Sequence, residues 1–256
     1  MTGILFPAGH GIVRKQLGVQ PISIALVGDL LVVSCYFQPA LLVATVSHTP
    51  EGVWLRDVRK IQGALMPDGT SKRFFPDVLQ PIDANRMQAC LIFSSTHFGL
   101  FRNEERVVHH VEQRGERWHY EGAESLPESS LDWVFSAMRD ADGTIATIEC
   151  DKALEQWSLC TYGKRGPTIH GVAPWTYGFA QLPNGAYVTI CQHRADAPGI
   201  YVGDKRINAD VSGTGIALLE DGAKGALVTS YGQDVPGPLW GVPGELIYVP
   251  PEGLRL

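Results

Sequence analysis

Nowhere in the chain do apolar residues recur at helical spacing for more than two turns. Helical bundles and doubly wound α/β folds are excluded on that ground, and an all-β fold is expected. Long hydrophobic runs are missing as well. The longest, from Ile22 to Phe37, is broken by Gly28-Asp29 and reads as two strands, short of the ~20 apolar residues of a membrane span. No membrane insertion is expected. Basic runs are absent beyond Lys164-Arg165, and the net charge is −6. A phosphate backbone needs at least a local surplus of Lys and Arg, so nucleic acid is not an expected partner. The opening MTGILFPAGHGIVRK has no basic start followed by an apolar core, hence no secretory signal is read. The expected location is the cytoplasm, or a particle such as a virion built there.

Paired cysteines are lacking too. Cys35, Cys90, Cys150, Cys160 and Cys191 form no CxxC and no disulfide-framework spacing. They are expected to be buried free thiols. Catalytic signatures are equally absent: there is no GxSxG elbow and no HExxH. Asp142-Gly143, Asn184-Gly185 and Asp221-Gly222 lack the further oxygens that a calcium loop requires, and read as hairpin turns. No cofactor, no metal and no catalytic residue is assigned.

What is present is a repeat. In Tyr177 to Asn208, YGFAQLPNGAYVTICQHRADAPGIYVGDKRIN, four short strands are separated by turns. The turn Pro183-Asn184-Gly185 supplies the positive φ of a tight hairpin, and Ala186 to Gln192 is rich in β-branched and aromatic residues. Imperfect copies recur. A marker of glycine, aliphatic and aromatic appears as Gly52-Val53-Trp54, Gly99-Leu100-Phe101 and Gly199-Ile200-Tyr201, with Pro238-Leu239-Trp240 a variant. Taken as third strands, these follow Leu41 to Ser47, Met87 to Ser94, Ala186 to Gln192 and Ala226 to Tyr231. The first strands are then Leu30 to Phe37, Val78 to Ile82, Tyr177 to Leu182 and Ile216 to Leu219. A remaining copy, Val134 to Met138 and Thr144 to Cys150, leads to Trp157 without the glycine. The marker returns at the ~40 to 50 residues of a four-stranded blade.

These repeats resemble the β-propeller superfold, without a WD-repeat, kelch or Asp-box signature. The resemblance implies one domain over residues 1–256 with five full four-stranded repeats. Residues 1–29 would form a partial N-terminal blade or close the ring, leaving five and six blades both open. The aromatics Trp54, Phe101, Trp157, Tyr201 and Trp240 are expected to fill the wedges between blades rather than to stack sugars. Residues 112–132 read as a long polar connection carrying Trp118 and Tyr120, residue types favoured in interfaces.

His48, His97, Asp151, His193 and Gln233 each follow the second strand of a repeat in this register. Together with Trp118 and Tyr120 they form the expected binding surface on one loop face. Separated blades place such groups too far apart for a single metal ion. The expected function is therefore a non-enzymatic binding or adaptor module. It would recognise a protein or a glycan, as a structural or accessory component of a larger assembly such as a phage tail or virion. The alternative is a glycan-processing hydrolase or lyase whose channel mouth is lined by the third-repeat carboxylates, among Asp132, Asp140, Asp142, Glu149 and Asp151, and by the histidines.

Overall fold

The computed structural model describes residues 3–17, 20–36, 41–61, 63–65, 67–73, 88–94, 97–102, 106–139, 144–151, 153, 155–164, 166–192, 195–230 and 244–254. Their strands form five sheets, the blades of a five-bladed β-propeller, antiparallel throughout except where Gly63–Leu65 pairs parallel to Arg117–Ser125 in blade 2. Blade 1 holds Gln20–Val27, Leu30–Tyr36, Leu41–Thr49 and Gly52–Ile61, with Ile4–Pro7 added outside. Blade 2 holds Gln88–Ser94, His97–Arg102, Val107–Arg114 and Arg117–Ser125, extended by the hairpin Gly63–Leu65 and Ser71–Arg73. Blade 3 holds Trp133–Arg139, Ile145–Asp151, Gln156–Gly163 and Gly166–Gly171. Blade 4 holds Thr176–Gln181, Tyr187–Cys191, Ile200–Val202 and Lys205–Asn208. Blade 5 holds Gly215–Leu218, Ala226–Ser230, Glu245–Val249 and the N-terminal strand Val13–Gln16.

A blade is covered on both faces by its neighbours, so its central strands are apolar throughout rather than alternating. All five residues of Ala226–Ser230 are buried for this reason. Five clusters of side chains fill five seams. Val32, Leu41 and Val43 meet Val111 and Trp118 between blades 1 and 2. Val108 meets Val134 and Ala137 between blades 2 and 3. Phe135 and Trp157 meet Tyr177 and Phe179 between blades 3 and 4, where the Phe135 and Tyr177 rings stack at 4.4 Å. Val188 and Ile190 meet Ile216 and Val228 between blades 4 and 5. Leu227 and Leu246 meet Ile24 and Leu31, which closes the ring.

Closure is made by the N-terminus. Val13 to Gln16 pair with Tyr248 to Glu245, and Arg14 Nη1 lies 3.2 Å from Glu245 Oε2. The chain then crosses to blade 1 as its innermost strand. No sixth blade forms among the described residues, because residues 4–27 are shared between blades 1 and 5.

The strand register read from the sequence is right for blades 3 and 4 and displaced in blades 1 and 2. Leu30–Tyr36 is a second strand, preceded by Gln20–Val27. Gly52-Val53-Trp54 opens a fourth strand, and Gly99-Leu100-Phe101 lies in a second. The marker reports a local constraint, not a blade position. Gly52 sits at φ 139°, and a Cβ there would lie 2.0 Å from the Phe6 carbonyl oxygen. In blade 5 the third strand is Glu245–Val249, and Trp240 lies outside the described residues.

The long connection expected over residues 112–132 is also corrected. Arg117–Ser125 is the fourth strand of blade 2, paired along Val107–Arg114. Its exposed residues alternate with half-covered ones and only Trp118 is buried, which makes the strand look like a polar loop. Trp118 is 7% exposed in the seam against blade 1, and Tyr120 packs partly buried beside it. Among the described residues there is no α-helix, and no helix is long and apolar enough to cross a membrane.

Candidate active site in the central channel

Each blade presents an edge, not a face, to the central axis, and the first strand is that edge. The five first strands run parallel to one another. Each starts at the face where blades connect, the crossover face, and ends at the opposite face, where first strands turn into second strands and third into fourth. We call the latter the hairpin face. An edge strand leaves alternate N–H and C=O groups off the ladder. In blade 4, Leu182 N donates to Ala186 O, and in blade 5, Leu219 N donates to Gly225 O. Alternation then turns the backbone groups of Phe179, Gln181, Ile216 and Leu218 to the axis.

The channel is narrow near the crossover face. A Cβ on Gly178 would lie 2.6 Å from Gly215 Cα, and one on Gly215 would lie 2.9 Å from the backbone nitrogen of Ile24. Only glycine lets the inner strands of blades 4, 5 and 1 approach so closely. Beyond this point the walls part, and a cavity of about 260 Å³ runs to the hairpin face. Four of the five inner strands line it, and its polar lining residues are Ser136 and Arg139 of blade 3, Gln181 of blade 4 and Asp221 of blade 5.

Asp221 owes its place to a strained turn. In Leu219–Gly222 both Glu220 (φ 44°, ψ 55°) and Asp221 (φ 55°, ψ 29°) are left-handed. That conformation costs an L-residue roughly 1 to 2 kcal/mol. Main-chain hydrogen bonds hold it, from Ala223 N to Glu220 O and from Lys224 N to Leu219 O. Asp221 has no hydrogen bond or ion pair with another described residue. Its neighbour Glu220 reaches across the closing seam, where Oε1 is 4.0 Å from His48 Nε2. Arg139 donates through Nη2 to Glu124 Oε1 on the outer strand of blade 2, and Glu124 is in turn 3.6 Å from His110 Nε2. These contacts draw the guanidinium toward the outer strand of blade 2.

The residues singled out from the sequence do not form one surface. His48 stands at the end of a third strand and His97 opens a second, so both belong to the hairpin face. Asp151 ends a second strand at the crossover face, where its Oδ1 accepts from Ala153 N at 2.9 Å. Trp118 is buried and Tyr120 half-buried between blades. His193 and Gln233 lie outside the described residues. The displaced register of blades 1 and 2 explains the split: a shift of one strand moves a loop to the opposite face. Arg139, Gln181 and Asp221 were missed, yet a signal for them exists. Each is a polar residue at or beside the turn that ends an inner strand, before Asp140, Asn184-Gly185 and Gly222.

Of the third-repeat carboxylates, Glu149 belongs to a structural network. Asp140 and Asp142 lie outside the described residues, and Glu149 is fully buried between blades 2 and 3. Glu149 accepts from Arg106 through both oxygens at 3.0 Å, and its Oε1 also accepts from Thr147 and Tyr162 at 2.6 Å. Burial pushes its pKa up, but the bonds from Arg106, Ser129, Thr147 and Tyr162 outweigh it and hold the carboxyl below its usual range. Burial also opposes the charge on Arg106, which Glu149 nevertheless raises above its ordinary value. Cys150, Cys160 and Cys191 are buried free thiols. Burial pushes Cys160 to about 12 and Cys150 to about 11, so neither is a nucleophile. Among the described residues, no three His, Cys, Asp or Glu side chains gather to hold a metal ion.

No family model matches the chain, and no curated protein matches it by sequence. Solved structures do resemble it. A luciferin-regenerating enzyme is 11% identical, over 93% of this chain and 94% of its own, with a TM-score of 0.48. A gluconolactonase from Xanthomonas campestris is 12% identical, over 91% and 76%, at 0.42. The PQQ-bound aldose sugar dehydrogenase from Streptomyces coelicolor is 11% identical, over 89% and 80%, at 0.49. At this identity the likeness concerns the fold alone, and no substrate or cofactor is carried over. The expectation of a non-enzymatic adaptor or virion component is nevertheless corrected. Its loop surface is divided between two faces, with its tryptophan buried in a seam.

Proposed function

We propose that the protein is an enzyme that admits a small polar molecule to the central channel from the hairpin face and acts on it by acid–base chemistry. The observation that carries this reading is the placement of Asp221. It is an exposed carboxylate on a strained turn, lining a cavity that Ser136, Arg139 and Gln181 also border. Strain of this kind collects where a side chain must be aimed. A concave site with a few convergent polar groups is the usual form of a small-molecule site.

In this reading Asp221 accepts or returns a proton, Gln181 orients the substrate, and the backbone groups of the inner strands match its polar atoms. The volume of about 260 Å³ is at the small end for ligand sites, so polymers are excluded from the interior.

The test is incubation with a defined mixture of small polar metabolites, read by mass spectrometry. The wild type should deplete at least one compound that Asp221→Asn leaves untouched. Equal depletion by both proteins, or none by the wild type, refutes the reading.

A further inference from the structure

We infer that the outer edge of blade 3 pairs with the same edge of a second copy of this chain, antiparallel about a two-fold axis at Ile169.

One outer strand differs from the others in exposure. Every residue of Gly166–Gly171 is exposed. The outer strands Ile4–Pro7 and Val13–Gln16 are mostly half-buried. Lys205–Asn208 lies beside Pro251–Leu254, where Asn208 Nδ2 donates to the Gly253 carbonyl at 3.1 Å. Among the described residues, no strand pairs with the outer side of Gly166–Gly171. Its sequence, GPTIHG, holds no Lys, Arg, Asp or Glu, the charges that commonly blunt an open edge. Ile169 near its centre is 57% exposed, the one large hydrophobic among the described residues that stands in solvent.

The ladder decides which backbone groups face outward. Val172 N donates to the Trp157 carbonyl at 3.0 Å. In the same register His170 stands opposite Leu159, and Thr168 opposite Thr161. Bonded and non-bonded pairs alternate along an antiparallel ladder. Gly166, Thr168 and His170 therefore bond inward, and the backbone groups of Pro167, Ile169 and Gly171 point away from the sheet. All three offer a carbonyl, but only Ile169 and Gly171 offer an N–H, because proline has none. This pattern is complementary to itself. Turned about Ile169, each Ile169 N–H meets the other Ile169 carbonyl, and each Gly171 N–H meets the other Pro167 carbonyl. The missing donor of Pro167 falls at the end of the row, where it interrupts nothing. The two Ile169 side chains then stand directly opposite on one face and cover each other. An axis at His170 would set Ile169 against Gly171, without an apolar partner.

Charge agrees with this direction. Lys164 is exposed in the turn before the strand, at the hairpin face. Asp132, Asp151 and Glu155 gather about Cys150 at the crossover face. Antiparallel pairing brings the Lys164 end of each copy to the carboxylate end of the other. A two-fold contact uses the one such edge of each copy, so assembly stops at two. The hairpin faces of the two copies then point in opposite directions, and neither channel is covered.

The experiment is sedimentation of the intact protein across a range of concentrations. A contact of one short strand belongs to the small, weak class, so monomer should dominate at about 1 μM and dimer at about 100 μM. Ile169→Lys opposes like charges across the axis, and Ile169→Pro removes an outward N–H while sparing the inward ladder. Each should weaken dimerisation by about tenfold or more. Lys164→Glu should weaken it about threefold, and only at low salt. Ile169→Cys should cross-link to itself on mild oxidation, because a bonded pair sets its Cα atoms about 5.5 Å apart. His170→Cys should not. Melting temperatures check that each variant folds, and Ile169→Lys, which alters only an exposed side chain, serves if the proline variant does not. A monomer at every concentration, a trimer or larger assembly, or a dimer indifferent to Ile169→Lys overturns the inference. So does cross-linking through His170→Cys in place of Ile169→Cys.

Discussion

The guanidinium of Arg106 holds both carboxylate oxygens of Glu149 at 3.0 Å across the seam between blades 2 and 3. Arg106 also donates from Nε to the carbonyl of Pro127 at 2.8 Å, in the segment that links these blades. Packing alone fixes how far apart two blades stand. This bidentate pair also fixes their sliding, because two parallel bonds tolerate little shear.

Breaking the pair from one side leaves a buried charge without its partner. Arg106→Met should therefore cost about 3 to 5 kcal/mol. Replacing both partners, as Arg106→Met with Glu149→Leu, should cost less than the single change, since no charge is then left in the seam. Thermal or denaturant melts of the three proteins check this. A single variant as stable as the wild type would mean that the pair is not structural.

The same carboxylate governs acid stability. Glu149 is held below its unfolded pKa by its hydrogen bonds. Its contribution is complete above the usual carboxylate range near ~4.3 and is lost as the pH falls through the lower folded value. Glu149→Gln should melt lower at neutral pH, and its stability should fall less steeply than that of the wild type below about pH 4. Parallel pH profiles for the two proteins would assign the acid sensitivity to other groups.

Trp118 is a seam residue and not a surface anchor. Trp118→Ala should cost about 3 to 5 kcal/mol through the cavity that it opens between blades 1 and 2. A melting temperature within a degree or two of the wild type would place the indole in solvent.

What the sequence determined was set by local physics. Tight turns such as Pro183-Asn184-Gly185, apolar runs such as Ala226 to Ser230 and the absence of helical periodicity announce short strands in repeated units wherever they stand. Hence the all-β class and the propeller were legible, as was the correct strand order in blades 3 and 4. The site depended on something else. A meander of strands reverses direction at every turn, so a loop's face is known only once its strand has been counted from the axis. That count was decided by long-range pairing, when Gln20–Val27 took the innermost place in blade 1 and Val13–Gln16 crossed to blade 5. The meeting of Arg139, Gln181 and Asp221 around one cavity is likewise a consequence of ring closure. Three turns distant in the chain come together because five wedges of apolar side chains fit around one axis, and no local pattern in the sequence records that fit.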